Sequence, residues 1–325
     1  MNILVTDHTH PILPQLLREA GHHVDINPAV DYDSLLELMS AQTPRYDALV
    51  VRSKVVIDRN FLDHARHLRC IGRLGAGMET VDTAYAAQLG IACLNSPEGN
   101  QVAVGEHAAG LLLTLFNHIA RADAEVRRGL WQREANRGLE VKGKTIGIIG
   151  FGHMGSAFAQ RLQGFECTLL AYDKYKPAGY APAYVQEVSL NELQRRADVV
   201  SLHVPLTDET HYMVDSAFLH AFDKDIFLIN TSRGAVVKTA DLAAALEEGK
   251  VLGAALDVME YEDMTADGLD TTTLPADFQY LLASPRTVLT PHVAGWTVES
   301  KEKLARILAE KMIKVLSDRR TAGGN

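Results

Sequence analysis

The run Lys144-Thr-Ile-Gly-Ile-Ile-Gly150-Phe-Gly152-His153-Met154-Gly155 has the residue types that hold a phosphate: an apolar strand, three glycines at GxGxxG spacing, and a helix expected over 156–164. Gly150 permits a tight turn, Gly152 lets backbone approach a pyrophosphate, and Gly155 lets the helix lie close on the strand. Free amides and the positive end of the helix dipole then face the phosphates, with His153 and Met154 in the same turn. The next strand pattern ends on Asp173, 23 residues after Gly150, where a carboxylate accepts hydrogen bonds from an adenosine ribose. This is dinucleotide chemistry. The carboxylate favours NAD over NADP, because a ribose phosphate would meet like charge, although Lys174 and Lys176 follow directly and soften that preference. A strand-end Asp that merely caps a turn is the alternative.

Other chemistries lack their residues. No GxSxG nucleophile elbow and no HExxH occurs. Asp7-His8-Thr9-His10 has metal-ligand types, but at a strand end without further ligands it reads as a polar loop, and no metal is expected. His22-His23 reads as a turn before a strand. Cys70, Cys93 and Cys167 are too few and scattered for a disulfide framework or a zinc site and read as buried thiols, in keeping with a reducing cytoplasm. Lys plus Arg number 32 against 41 Asp plus Glu, a net −9, which argues against nucleic acid or an anionic membrane as partner. The longest apolar stretch, 108–116, falls far short of the about 20 residues that span a bilayer. With 47% hydrophobic residues and 11 prolines among 325, the chain has the composition of a globular protein of about two domains.

The elements that must position these residues follow from the hydrophobic pattern. Short apolar runs at 3–6, 48–51, 70–73 and 91–95 alternate with amphipathic stretches such as 12–19, as in a parallel sheet flanked by helices. The turn-rich 95–100 segment precedes a long apolar helix expected from 102 to about 129. A second series follows at 145–149, 168–173, 199–204, 226–230, 253–257 and 288–290: six strands of a complete doubly wound sheet. The 261–285 segment reads as a long polar surface loop, 298–317 as a last helix, and 319–325 as a frayed tail. The fold class is therefore α/β, with two doubly wound parallel-sheet domains. Residues 97–290 are expected to form a Rossmann domain for NAD, inserted into a flavodoxin-like substrate domain made of 1–96 plus 291–325.

Three later motifs complete a pattern: Asn230-Thr231-Ser-Arg233-Gly-Ala, Gly253-Ala-Ala-Leu-Asp257-Val-Met-Glu-Tyr-Glu262, and Thr290-Pro-His292-Val-Ala-Gly. With the GxGxxG, with Val51-Arg52-Ser53, Gly72-Arg73-Leu-Gly75-Ala76-Gly77 and Pro97-Glu-Gly-Asn100, and with His203-Val-Pro205-Leu-Thr207, the chain resembles the D-isomer-specific 2-hydroxyacid dehydrogenases. The phosphoglycerate dehydrogenase branch is nearest. The resemblance implies that Arg233 holds the substrate carboxylate and carbonyl, that Glu262 pairs with a histidine, and that His292 is the acid/base. It also implies that Asp257 meets the nicotinamide, that Thr231 belongs to the cofactor site, and that His203, Pro205 and Thr207 edge the adenosine pocket. Gly75, Ala76, Gly77 and Asn100 belong by the same resemblance to the substrate site.

The chemistry can be argued alongside. Hydride transfer to or from a C–OH leaves a proton to move, and histidine exchanges protons near neutral pH. A neighbouring carboxylate favours the imidazolium and fixes its orientation. A planar guanidinium matches a carboxylate in two prongs. Residue by residue, alternatives stay open: Arg233 as a strand-end cap, His292 as a core histidine, and Glu260 or Asp263 in place of Glu262. The family proline after the glutamate is Asp263 here.

Arg52, Ser53 and Arg73 bear on the substrate. Two arginines in an acidic chain fit a phosphate and thus 3-phosphoglycerate or 3-phosphohydroxypyruvate; a domain-interface ion pair is the alternative for them. Glyoxylate, hydroxypyruvate or a D-lactate-type acid is the second substrate class, and an NAD(H)-sensing corepressor-like protein the distant one. Trp296 could wall the substrate pocket, and domain closure is expected to bring Arg52 and 75–77 towards Arg233 and His292. A homodimer through the 100–130 region is expected, because the apolar helix carries more hydrophobes than one buried stripe needs. Within 325 residues no stretch remains for the C-terminal regulatory domain that some phosphoglycerate dehydrogenases carry, so feedback through such a domain is not expected.

Overall fold

Short apolar runs separated by helices fold as two all-parallel sheets in the computed structural model, which describes residues 1–41, 45–262 and 274–318. The chain separates into two compact units, Met1–Asn100 with the segment from Trp296, and Gln101–Gly295.

The first unit holds β1 (Asn2–Val5), β2 (His23–Ile26), β3 (Ala48–Val51), β4 (Cys70–Arg73) and β5 (Ala92–Leu94), in the order β2-β1-β3-β4-β5. Side chains alternate across a strand, so one face carries Ile3, Val5, Ala48 and Val50 and the other Leu4, Leu49 and Val51. The first set packs on Leu13 and Leu17 of the helix Ile12–Glu19 and on Leu308 and Met312 of the helix Val298–Asp318. The second packs on Leu35, Met39, Phe61 and Leu62 of the helices Tyr32–Ser40 and Arg59–His64. With both faces covered, β3 is buried along its whole length, as parallel strands are. Asp31, Asp58 and Asp82 each cap a helix by accepting the amide three residues on.

The second unit holds β6 (Thr145–Ile149), β7 (Thr168–Tyr172), β8 (Gln186–Glu187), β9 (Val199–Leu202), β10 (Ile226–Asn230), β11 (Val251–Leu256) and β12 (Thr287–Leu289). Their order is β12-β11-β10-β9-β6-β7-β8. The six expected strands are present, and the two-residue β8 adds an edge strand too short to carry a period-2 pattern. Ile146, Ile148, Leu169 and Ile229 form one core face with Leu111, Leu112, Leu115 and Phe158. Val200, Leu202, Leu228 and Leu256 form the other, with Leu242, Leu246 and Phe278. Each such side chain contributes about 1.5–3 kcal/mol by leaving water.

Three expectations change. The 102–129 helix is two helices, Gln101–Phe116 and Ile119–Arg127, separated at His118, whose φ of 52° lies in the left-handed region. The apolar excess of the first is used inside its own unit, where Ala108, Leu111, Leu112, Leu115 and Phe116 are buried. In this region the exposed apolar side chains come after it: Ile119, Val126, Leu130, Trp131 and Leu139. The supposed loop 261–285 contains the helix Ala276–Ala283, anchored by buried Phe278 and Leu281; residues 263–273, with Asp263, and the tail 319–325 lie outside the described residues. Of the three cysteines, all free, Cys70 is buried whereas Cys93 and Cys167 are half-buried, with desolvation raising both of these thiols above their ordinary value.

Candidate active site

In the second unit the strand order reverses beside β6, where the chain runs outward through β7 and β8 on one side and through β9 to β12 on the other. Open α/β sheets bind ligands at this reversal, beyond the carboxyl ends of the strands. Gly150 follows β6 there with φ +85°, and a Cβ on it would stand 2.6 Å from the carbonyl oxygen of His203 at the end of β9. A Cβ on Gly155 would stand 2.1 Å from the Gly150 oxygen, so only glycine lets the helix His153–Arg161 close onto the turn. Gly152, the N-cap of that helix, has open space where its Cβ would be, and no side chain caps the first amides. An approaching pyrophosphate meets bare backbone at this point.

The surrounding groups fit the rest of a dinucleotide. Asp173 lies just beyond β7, and its carboxylate accepts the amides of Phe151 (2.9 Å) and Tyr175 (3.1 Å), which holds it beside the glycine turn. His203 Nε2 lies 2.8 Å from Ser201 Oγ, while its Nδ1 and the hydroxyl of Thr231 are buried without a hydrogen-bond partner. Buried polar atoms that a protein leaves unpaired await a ligand or water. Desolvation pushes the His203 imidazole down to about 3, so it is neutral at physiological pH. His153 is exposed, with Nδ1 3.0 Å from Gln101 Oε1, and Met154 is half-buried. Pro205 and Thr207 are tied into a local turn by Thr210, whose hydroxyl donates to the Pro205 carbonyl at 2.6 Å.

Beyond β10, β11 and β12 lie the three groups suited to acid/base and carboxylate chemistry. Asn230 ends β10; its amide donates to the Arg233 carbonyl at 2.9 Å while its oxygen accepts Ser232, which shapes the tight bend that carries Arg233. Gly234 then packs directly under the chain after β11, where a Cβ would stand 1.9 Å from the Met259 oxygen. That contact seats the 259–262 segment. Glu260 accepts the Tyr212 hydroxyl at 2.5 Å and the Thr239 amide at 2.8 Å, which leaves Glu262 to face His292, with Oε1 3.0 Å from Nδ1. Glu262 and His292 are both half-buried.

His292 has φ 53°, a strained conformation for a residue with a Cβ. The bracket that holds it is built on buried Asp257. The Asp257 carbonyl accepts the His292 amide at 2.7 Å, and the carboxylate accepts the Thr290 hydroxyl (2.6 Å) and the amides of Val293 (2.9 Å) and Ala294 (2.8 Å). Burial alone would raise the Asp257 carboxyl, but hydrogen bonds from His107, Thr290 and the two amides outweigh it and hold it below its ordinary value. His107, in the helix Gln101–Phe116, reaches Thr290 Oγ1 at 3.1 Å and Asp257 at 3.4 Å. Neither His107 nor Tyr212 was singled out from the sequence. A lone histidine in an apolar helix was the signal for the first; for the second, whose φ is 52°, there was none.

In the first unit, Arg52 and Ser53 follow β3, and Arg73 ends β4 beside it. The Arg52 guanidinium lies over the exposed Trp296 ring, 4.7 Å from its centroid, a cation–π contact that keeps the charge at the sheet's carboxyl edge. Arg73 folds back over Gly75, whose φ of +146° would strain any residue with a Cβ. The carbonyls of Gly75 and Ala76 accept the Ser96 amide (3.0 Å) and the Asn95 side chain (2.6 Å), which fixes the 75–77 loop. Asn100 Oδ1 is buried without a partner. Asp7–His10 form the loop after β1, and among the described residues no three His, Cys, Asp or Glu are grouped to hold a metal. Among them, too, no helix is long and apolar enough to cross a membrane.

Comparison with known proteins bears on this arrangement. The model of the NAD binding domain of D-isomer specific 2-hydroxyacid dehydrogenases matches residues 109–294. The D-3-phosphoglycerate dehydrogenase of Methanocaldococcus jannaschii is 34% identical over 318 residues, which cover 97% of this chain but 57% of that relative. This chain thus spans little more than half the length of that protein. The hydroxypyruvate reductase of Thermotoga maritima is 33% identical over 287 residues, 88% of this chain and 89% of that one. Among solved structures, the D-lactate dehydrogenase of Aquifex aeolicus complexed with NAD and lactic acid is 26% identical with a TM-score of 0.80, covering 99% of this chain and 96% of that one.

Proposed function

Because the chain belongs to the D-isomer-specific 2-hydroxyacid dehydrogenases, we propose that it moves a hydride between NAD(H) and C2 of a D-2-hydroxy acid or its 2-keto acid. The observation that carries this reading is the His292–Glu262 pair, 3.0 Å apart, on a strained loop beyond the carboxyl ends of β11 and β12. When bound, the nicotinamide supplies or accepts the hydride. With Glu262 Oε1 as the acceptor facing Nδ1, His292 Nδ1 donates to it and Nε2 is presented to the substrate oxygen. In reduction His292 gives its Nε2 proton to the carbonyl oxygen as C2 gains the hydride; in oxidation it takes the hydroxyl proton. Arg233 holds the substrate carboxylate and polarises the adjacent carbonyl. Gly150, Gly152, Gly155 and Asp173 receive the pyrophosphate and the adenosine ribose, with Thr231 and Asp257 towards the nicotinamide.

For the substrate, Arg52 and Arg73 at neighbouring strand ends favour an acid that also carries a phosphate, 3-phosphohydroxypyruvate or 3-phosphoglycerate. The similarity to a phosphoglycerate dehydrogenase supports this. An unphosphorylated acid is the second reading, favoured by the near full-length match to a hydroxypyruvate reductase. A panel of 2-keto acids assayed with NADH and NADPH tests both. Higher kcat/KM with the phosphorylated acid, lost in Arg52→Ala/Arg73→Ala through KM, supports the first; an unchanged KM in that variant removes it. Tight NADH binding without turnover of any 2-keto acid would point instead to a nucleotide-sensing protein.

The reading includes a homodimer. The helix Ile119–Arg127 buries none of its residues, and Trp131 is 78% exposed beyond it, an apolar surface suited to a second copy of the chain. A reducing, cytoplasmic setting suits the three free cysteines.

A further inference from the structure

The two lysines after Asp173 raise a question that the glycine motif does not answer. A 2′-phosphate on the adenosine ribose carries roughly two negative charges, and a strand-end cation is what would receive it. Lys174 and Lys176 supply two such cations, yet the structure occupies both. Lys176 Nζ donates to the Phe151 carbonyl at 2.6 Å, beneath the glycine turn. Lys174 forms an ion pair with Glu209, and the same carboxylate accepts the Tyr175 hydroxyl. Glu209 comes from the loop after β9, which therefore reaches across β6 to the end of β7, over the adenosine side of the reversal point.

We propose that Glu209 is a specificity-determining residue: by pairing with Lys174 it denies a 2′-phosphate its cation and, with Asp173, makes the chain prefer NAD over NADP. The inference rests on the reading of 150–155 and Asp173 as the dinucleotide site. Both partners of the pair are about half exposed, at 57% for Lys174 and 45% for Glu209. An ion pair so exposed adds little to stability, so its effect is on the local field a ligand meets. Hydrogen bonding to Lys174 and Tyr175 holds the Glu209 carboxyl below its ordinary value, which favours its ionised form.

The test is the dissociation constant of NADH and of NADPH, read by nucleotide fluorescence at low and high salt, for the native chain, Glu209→Gln, Lys174→Ala and the double variant. The expected result is that Glu209→Gln tightens NADPH by about tenfold at low salt, with the gain shrinking at high salt and NADH changing by less than about twofold. In the double variant the gain disappears, because the released cation is gone. An unchanged NADPH constant in Glu209→Gln overturns the proposal, as does an equal loss of both nucleotides or a gain that persists without Lys174. Failure of the native chain to bind either dinucleotide would overturn the cofactor reading and this inference with it.

Discussion

At the scale of single residues, the hydrogen bonds of Asp257 hold His292 in a strained conformation with Nδ1 against Glu262. A φ of 53° follows from the Asp257 bracket, and nothing in Thr-Pro-His announces it. Glu262 could not be told from Glu260 by type or spacing; the structure separates them because Tyr212 and Thr239 engage Glu260. Asp257→Asn would put an amide donor against the amide of either Val293 or Ala294, which different oxygens of the carboxylate accept. It should cost about 1–3 kcal/mol in urea unfolding and lower kcat more than it weakens NADH, since the acid/base loop loses its anchor. His203 gives a pH signature. Its imidazole lies near 3 when folded against an ordinary 6.5, so between these values the unfolded chain binds a proton the native chain does not. That contribution is complete above about pH 6.5 and is lost as pH falls towards 3, with a slope of up to about 1.4 kcal/mol per pH unit. Unfolding measured at pH 5 and pH 7 should show a smaller acid loss in His203→Gln than in the native chain.

At the scale of elements, the strands were the most legible part, because short apolar runs between helices leave a parallel sheet as the main solution. What periodicity missed was local: the break at His118, set by one left-handed residue, and the helix Ala276–Ala283, whose Phe278, Leu281 and Leu282 keep helical spacing but over only about two turns, after a polar, turn-rich run. The glycine motif lets position and chemistry be separated experimentally. Gly155→Ala drives a Cβ into the Gly150 carbonyl and should cost about 1–3 kcal/mol of stability as well as NADH affinity. Gly152→Ala meets open space, so its melting temperature should stay within a few degrees of the native value while NADH binding weakens by an order of magnitude or more. Equal effects of the two substitutions on stability would mean that Gly152 has a packing role and does not mark the phosphate path.

At the scale of the whole molecule, the two sheets and their α/β class followed from the order of the strand patterns, whereas the surface proposed to meet a second copy did not. The helix Gln101–Phe116, apolar enough to suggest an interface, fills its own core, and five exposed apolar residues follow it within 119–139. Light scattering should give a mass near twice the 35.6 kDa of one chain, and Val126→Glu/Trp131→Glu should shift it towards one chain without lowering thermal stability of the monomer. The central claim, hydride transfer at C2 with His292 moving the proton, is tested most directly with NADH deuterated at its transferring position and a 2-keto acid turned over by the native chain. The account predicts a D-2-hydroxy acid labelled at C2, and a rate about 10²–10⁴-fold lower in His292→Ala with NADH affinity retained. An unlabelled product, an L-isomer, or an undiminished rate in His292→Ala would contradict it.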